Sequence, residues 1–181
     1  MTPFVALLRG INVAGQKQIR MADLQKSCEA SGLKDVRTYL QSGNVAFRAG
    51  RADPRRLAEA LRARIAKDFE HDVEVLVLPA KELNLIAGSN PLRPRSGDEQ
   101  RLFHGTFLFQ RVAGKRFRQL KLPALPGEKA VMVGQAVFLY CPHGYGRTKL
   151  NNSFFEKALG VPATTRNWRT VLALKDLCME R

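Results

Sequence analysis

What most constrains this chain is the order in which strand-like apolar runs alternate with helical periodicity. Pro3 to Leu8, PFVALL, is a continuous apolar run of strand length. A polar loop, RGINVAGQKQ, separates it from MADLQKSCEASG, in which Met21, Leu24 and Cys28 fall on one helical face and Gly32 stops the helix. DVRTYLQ and NVAFRA read as short strands joined through Ser42-Gly43-Asn44, a hairpin signal. Asp53 and Pro54 supply an N-cap and a first helical residue, after which Leu57, Leu61, Ile65 and Phe69 recur every four residues. The β-branched run VEVLVLP closes the series at Pro79. The resulting order, βαββαβ, is that of the ferredoxin-like arrangement.

A second series follows. PAKELNLIAGSNP reads as a connecting helix that stops before Pro91, and LRPRSGDEQR as a polar linker. RLFHGTFLFQRV is a strand, and residues 113–121 are a short basic helix. KAVMV and AVFLYC flank Gly134-Gln135 as a hairpin, and KLNNSFFEKALG is a helix stopped by Gly160. ATTRNWRTVLALKDLCME reads as one final helix in the place of a closing strand. The expected fold is therefore α+β, with two ferredoxin-like subdomains in tandem and the second ending in helices. The expected domains are 1–79, a connecting helix and linker over 80–101, and 102–181.

Composition narrows the function classes. No apolar run approaches the roughly 18 residues that span a bilayer, and MTPFVALLRGINV lacks the basic start and cleavage site of a signal peptide, so a cytoplasmic protein with no membrane partner is expected. The three cysteines, Cys28, Cys141 and Cys178, form no CxxC, which argues against a disulfide framework or a zinc ribbon. His71, His104 and His143 have no metal-ligand spacing, so neither a metal nor a cofactor is expected. Against these exclusions stands the charge. Thirty Lys and Arg against sixteen Asp and Glu give +14, a field that concentrates polyanions.

Several stretches offer chemistry. GINVAGQK, Gly10 to Lys17, has the GxxxxG spacing of a phosphate loop. Gln16-Lys17-Gln18 stands where that motif needs Gly-Lys-Ser/Thr, so nucleotide hydrolysis is not expected, while Arg9, Asn12 and Lys17 remain available to a ligand. QSGN is explained by turn chemistry. The third strand carries only Phe47 in place of the paired aromatics on which RNA-recognition sheets stack bases. Cys141 and His143 lie two apart, the spacing of one strand face.

HGYGRTKLNNSFFEK carries the strongest signal. Gly144 and Gly146 permit close approach of a ligand to the backbone. Asn151, Asn152 or Ser153 would cap the following helix, and Arg147 and Lys149 sit just before its start. A helix start already carries about half a positive charge, so cations there are unfavourable unless an anion joins them. The same arrangement is expected in ATTRNWRT, with Thr164 or Thr165 as cap, Arg166 and Arg169 near the first turn, and Trp168 as a core anchor.

Taken together, LLRGINV, TYLQSGNV, GYGRTKLNN, FFEKALG and ATTRNWRTV resemble the bacterial proteins grouped as domain-of-unknown-function family 1697. The resemblance implies two ferredoxin-like subdomains and no particular activity. Ala14 stands where relatives carry a glycine, and His143-Gly144 where many carry Asn-Gly. Arg9, Asn12, Gln41, Ser42, Asn44, Arg147, Lys149, Asn151, Arg166 and Asn167 match the family pattern.

The expectation is an anion-binding protein whose partner is nucleic acid or a phosphorylated small molecule. The expected site is Arg9, Asn12, Gly144, Gly146, Arg147, Lys149, Asn151, Arg166, Asn167 and Arg169, centred on two basic helix starts. Two alternatives stand beside it. One is an enzyme acting on a small phosphorylated or carboxylated substrate through Cys141, His143, Tyr145 or Lys149. The other is a protein-interaction module.

Overall fold

The computed structural model describes residues 1–179. The chain divides into two compact units, Met1–Asn84 together with the stretch from Leu174, and Leu85–Ala173. Each is built around a four-stranded antiparallel sheet.

In the first unit β1 (Thr2–Leu8) is followed by α1 (Met21–Ala30), β2 (Lys34–Tyr39), β3 (Asn44–Ala49), α2 (Pro54–Phe69) and β4 (Val75–Pro79). The strand order is β2-β3-β1-β4. Alternate residues of the strands, Phe4, Ala6 and Leu8 with Val45, Phe47, Val75 and Val77, meet Leu24 and Cys28 of α1 and Leu61 and Ile65 of α2. Val45 and Phe47 thus share the helix-covered face, as the period-two pattern requires. Val5, Leu7, Leu76 and Leu78, on the opposite face, are buried too, which is why these strands read as continuous apolar runs. The Asp53 carboxylate accepts from the Arg55 N–H at 2.8 Å and starts α2 at Pro54, as expected from the sequence. α3 (Ala80–Gly88) follows directly on β4.

The second unit repeats the order. A short 3₁₀ turn, Glu99–Leu102, leads to β5 (Phe103–Leu108), α4 (Gly114–Arg118), β6 (Lys129–Val133), β7 (Ala136–Tyr140), α5 (Asn152–Leu159) and β8 (Ala163–Asn167), followed by α6 (Trp168–Met179), whose residues from Leu174 on belong to the first unit. Its sheet, β6-β7-β5-β8, has the same topology as the first. Phe117 of α4 and Phe155 and Leu159 of α5 lie over Leu108, Val137 and Leu139, so both helices cover one face.

The two tandem ferredoxin-like halves expected from the sequence are therefore present, with one correction inside the second. Residues 163–167 were expected to be helical and are the closing strand. Ala163 to Asn167 pair in register with Leu108 to His104. The Thr164-Thr165 pair that suggests a cap is also β-branched, and a free edge of β5 decides between the two readings. The final helix accordingly begins at Trp168, which packs edge-on against Phe138 at 5.8 Å. The expected end of that helix, Glu180, lies outside the described residues.

Candidate functional site

The loop into α5 is ordered by its own side chains. Gly144, at φ +87, turns the chain off the end of β7, and its N–H donates to the Cys141 carbonyl. Tyr145–Arg147 form one 3₁₀ turn, and the buried Thr148 hydroxyl accepts from the Leu150 N–H at 3.0 Å. Asn151 is the cap, accepting from the Phe154 N–H at 3.0 Å. Burial raises the Tyr145 phenol above its ordinary value, while the Asn152 backbone N–H acts in the opposite direction. Two of the N–H groups that open α5 are thus met from within the protein. Arg147, Lys149 and Gly146 remain exposed around them.

The second basic helix start is formed only in part, with Arg169 in the first turn of α6 and Arg166 on the strand before it. Arg166 lies on β8 and is buried, donating to Thr164 Oγ1 at 2.9 Å and to the Thr165 carbonyl at 3.0 Å. Burial pushes its guanidinium down to about 10, against an opposing pull from Tyr145, so it stays charged at neutral pH. Asn167 Oδ1 accepts from the Arg169 N–H at 3.0 Å, which makes Asn167 the residue that starts α6. The Arg169 guanidinium donates to the Gly97 carbonyl at 3.2 Å and lies 3.9 Å from the Asp98 carboxylate.

Sequence reasoning missed a buried polar cluster beneath this loop. Thr165 donates to Asn152 Oδ1 at 2.6 Å, so at their 2.7 Å contact it is Thr106 that donates to Thr165. His104 stacks on Tyr145 at 4.7 Å. Asn167 Nδ2 donates to the Arg101 carbonyl and to His104 Nε2, at 3.0 and 3.3 Å, which leaves Nδ1 as the protonated nitrogen. Nδ1 is buried with no well-aligned partner. Burial holds His104 down to about 4, with only the Leu102 backbone acting against it. The available sequence signal is the period-two match of His104 and Thr106 with Thr165 and Asn167 across paired strands.

Of the groups named in the enzymatic alternative, Cys141 and His143 are engaged within the protein. Burial, followed by Glu128, pushes the Cys141 thiol up to about 11, although the Thr148 hydroxyl pulls the other way. His143 Nε2 lies 2.9 Å from the Pro126 carbonyl. A thiol in that state is a poor nucleophile.

In the first unit the GxxxxG loop closes on a tight turn. Val13–Gln16 form a turn whose central residues, Ala14 and Gly15, both have positive φ, the signature of type I′. Lys17 Nζ donates to the Asp72 carbonyl at 2.6 Å, and Arg9 lies 3.6 Å from the Glu74 carboxylate. Asn12 is a clamp. Its amide donates to the Ile19 and Gln41 carbonyls and accepts from the Ile19 N–H, all within 2.9 Å. Asn12→Ala removes all three bonds and leaves an alanine at φ +55. We expect a loss of about 2 kcal/mol in urea unfolding, because each bond is worth about 0.5–1.5 kcal/mol net.

Charge is partitioned unevenly. In the first unit Arg48, Arg62 and Arg64 pair with Asp35, Asp72 and Asp68. Residues 103–160 carry nine Lys and Arg against two Glu, a net +7 and so half of the whole chain's +14. Both of those carboxylates are turned onto backbone N–H groups, Glu128 onto Leu125 and Glu156 onto Ala163. Among the described residues none of the nine cations forms an ion pair with a carboxylate. Lys115, Arg116, Arg118 and Lys157 project from α4 and α5, with Arg147 and Lys149 on the loop before α5. Arg116 approaches Gly160 at the C-terminal end of α5, where a cation is favourable. No group of His, Cys, Asp and Glu among the described residues has the arrangement of a metal site. Nor is any described helix long and apolar enough to cross a membrane.

Two βαββαβ units in tandem, the second with a basic helical layer, define the class as α+β. Residues 1–138 match the family described as Protein of unknown function (DUF1697), and the chain belongs to that family. Among functionally curated proteins none matches. The solved structure of the conserved bacterial protein SP0830 from Streptococcus pneumoniae is similar, with a TM-score of 0.74, 20% identity and 98% of each chain covered. At that identity the likeness establishes a shared fold.

Proposed function

We propose that this protein binds a polyanion, nucleic acid before a phosphorylated metabolite, through the helical layer of its second unit. The observation that carries the reading is the uncompensated charge of residues 103–160. Nine cations without a carboxylate partner stand over a stretch whose two acids face inward. Six of them, Lys115, Arg116, Arg118, Arg147, Lys149 and Lys157, are spread over α4, α5 and the Gly144–Asn151 loop, which suits an extended row of phosphates better than a single one. Arg147, Lys149 and Gly146 belong to this surface. Gly144 shapes the loop, Asn151 caps α5, and Asn167 holds His104 beneath the loop, while the buried Arg166 and the Arg169 held by Gly97 and Asp98 lie outside this surface.

The test is fluorescence anisotropy with labelled single-stranded RNA, single-stranded DNA and duplex DNA across a salt series. We expect log affinity to fall linearly with log salt. The triple variant Lys115→Ala, Lys149→Ala, Lys157→Ala should lower the slope by about 2–3 and weaken binding at least tenfold, as three lost phosphate contacts require. Absence of binding at about 50 mM salt removes nucleic acid as the partner.

A further inference from the structure

The first unit carries a cleft of about 570 Å³ between the β1–α1 loop, the β2–β3 turn and the end of α2. Its size suits a small molecule. Two features distinguish it from an incidental surface groove.

The first is stored strain. Of the six non-glycine residues with positive φ among the described residues, Asn12, Ala14, Lys17 and Leu40 lie in the two segments that frame this cleft. Such conformations cost on the order of 1 kcal/mol each and persist where surrounding structure holds them. The Asn12 clamp does so, binding the loop to the backbone of Gln41. The rim is therefore preorganised, and a ligand need not meet the cost of ordering it.

The second is its supply of hydrogen-bonding groups. Gln18 and Gln41 line the cleft, and neither side-chain amide has a hydrogen-bond partner among the described residues. Arg20 and Asp23 add one charge of each sign at a loose 3.6 Å, with the Arg20 side chain 84% exposed and easily recruited. Ile19 and Phe69 supply an apolar wall. The cleft is thus locally neutral within a strongly basic protein. That separates it from the polyanion surface.

A primary amide offers a donor beside an acceptor, which is the complement of a lactam or amidine edge, and an aromatic wall receives a flat ring. We infer that this cleft binds an uncharged planar heterocycle of the nucleobase class, read along its hydrogen-bonding edge by Gln18 and Gln41 and stacked on Phe69.

The test is titration of the isotope-labelled full chain with adenosine, guanosine, cytidine and uridine, followed by NMR. Nucleosides carry no phosphate, so the result is independent of the basic surface. At least one should bind with a dissociation constant below about 1 mM, a free energy near −4 kcal/mol, and shift the Gly15 N–H and the Gln18 and Gln41 side-chain amides. Gln41→Ala should weaken that binding by up to about tenfold, the value of one or two neutral hydrogen bonds. Gln18→Ala with Gln41→Ala should weaken it further. Both side chains are exposed, so the variants retain the fold. Failure of all four nucleosides to shift these amides overturns the inference. So does unchanged affinity in the double variant. Binding of nucleoside monophosphates where nucleosides do not bind overturns it as well, since phosphate would then be the group recognised.

Discussion

Replacing Gly43 by alanine should destabilise the protein by about 2–4 kcal/mol in urea unfolding, a large share of a stability typically near 5–15 kcal/mol. Two terms add. Gly43 has φ +78, where a Cβ meets its own backbone at a cost of about 1 kcal/mol. The new methyl would also lie 2.7 Å from Leu8 Cβ and from Ile11 Cδ1. Leu8 Cβ cannot swing away, because it is fixed to β1, whose Leu8 N–H donates to the Gly43 carbonyl at 2.8 Å. The strand or the turn must move, and overpacking of this kind costs about 1–3 kcal/mol. Gly32→Ala is the control. Gly32 has φ +86 with nothing within 4 Å of the added carbon, so only the backbone term of about 1 kcal/mol should appear. Equal losses in the two variants would show that the contact with Leu8 and Ile11 is relieved at no cost.

The second large effect is a pH dependence. His104 titrates at about 4 in the folded protein because burial disfavours the imidazolium, against an ordinary value near 6.5. Between these values the unfolded chain binds a proton that the folded chain does not. Stability therefore rises with pH through this window. The contribution is fully present above about pH 6.5 and is lost progressively as pH falls toward 4, by on the order of 3 kcal/mol. His104→Gln removes the titrating group while keeping an acceptor for Asn167. Its stability should change far less across that range, as read from urea midpoints at several pH values. Asp68 and Asp72 do not confuse the comparison. Ser27 and Arg64 hold the first carboxylate below its usual value, and Arg62 the second, so their contributions fade only at lower pH. A wild-type protein as stable at pH 4.5 as at pH 7 would contradict this account of the cluster around His104 and Tyr145.

Reading the chain one segment at a time succeeded where the signal is local. Asp53 and Asn151 cap their helices as expected from residue type. The positive φ of Gly43 and Gly144 is a demand that neighbouring residues alone can announce. It faltered at ATTRN, whose composition is compatible with a helix start and with a strand. It also could not see that Arg169 reaches Gly97, seventy-two residues away, or that Lys17 reaches Asp72. Both look like available cations in the sequence. His104 was noticed only for its lack of metal spacing, because its partners Tyr145 and Asn167 arrive from distant elements.

The sequence by itself determined the element order, the caps, the turns and the overall excess of positive charge. These follow from side-chain periodicity and backbone sterics, which act between residues a few positions apart. The tertiary structure alone decided that residues 163–167 pair as a strand, and with that pairing the burial of Arg166. It also decided which cations are neutralised and which stay exposed, and that Gln18, Gln41 and Phe69 line one cleft. Strand pairing and charge compensation join residues tens of positions apart, as between Thr106 and Thr165 at a separation of 59. Such pairs exist only once the chain has closed on itself.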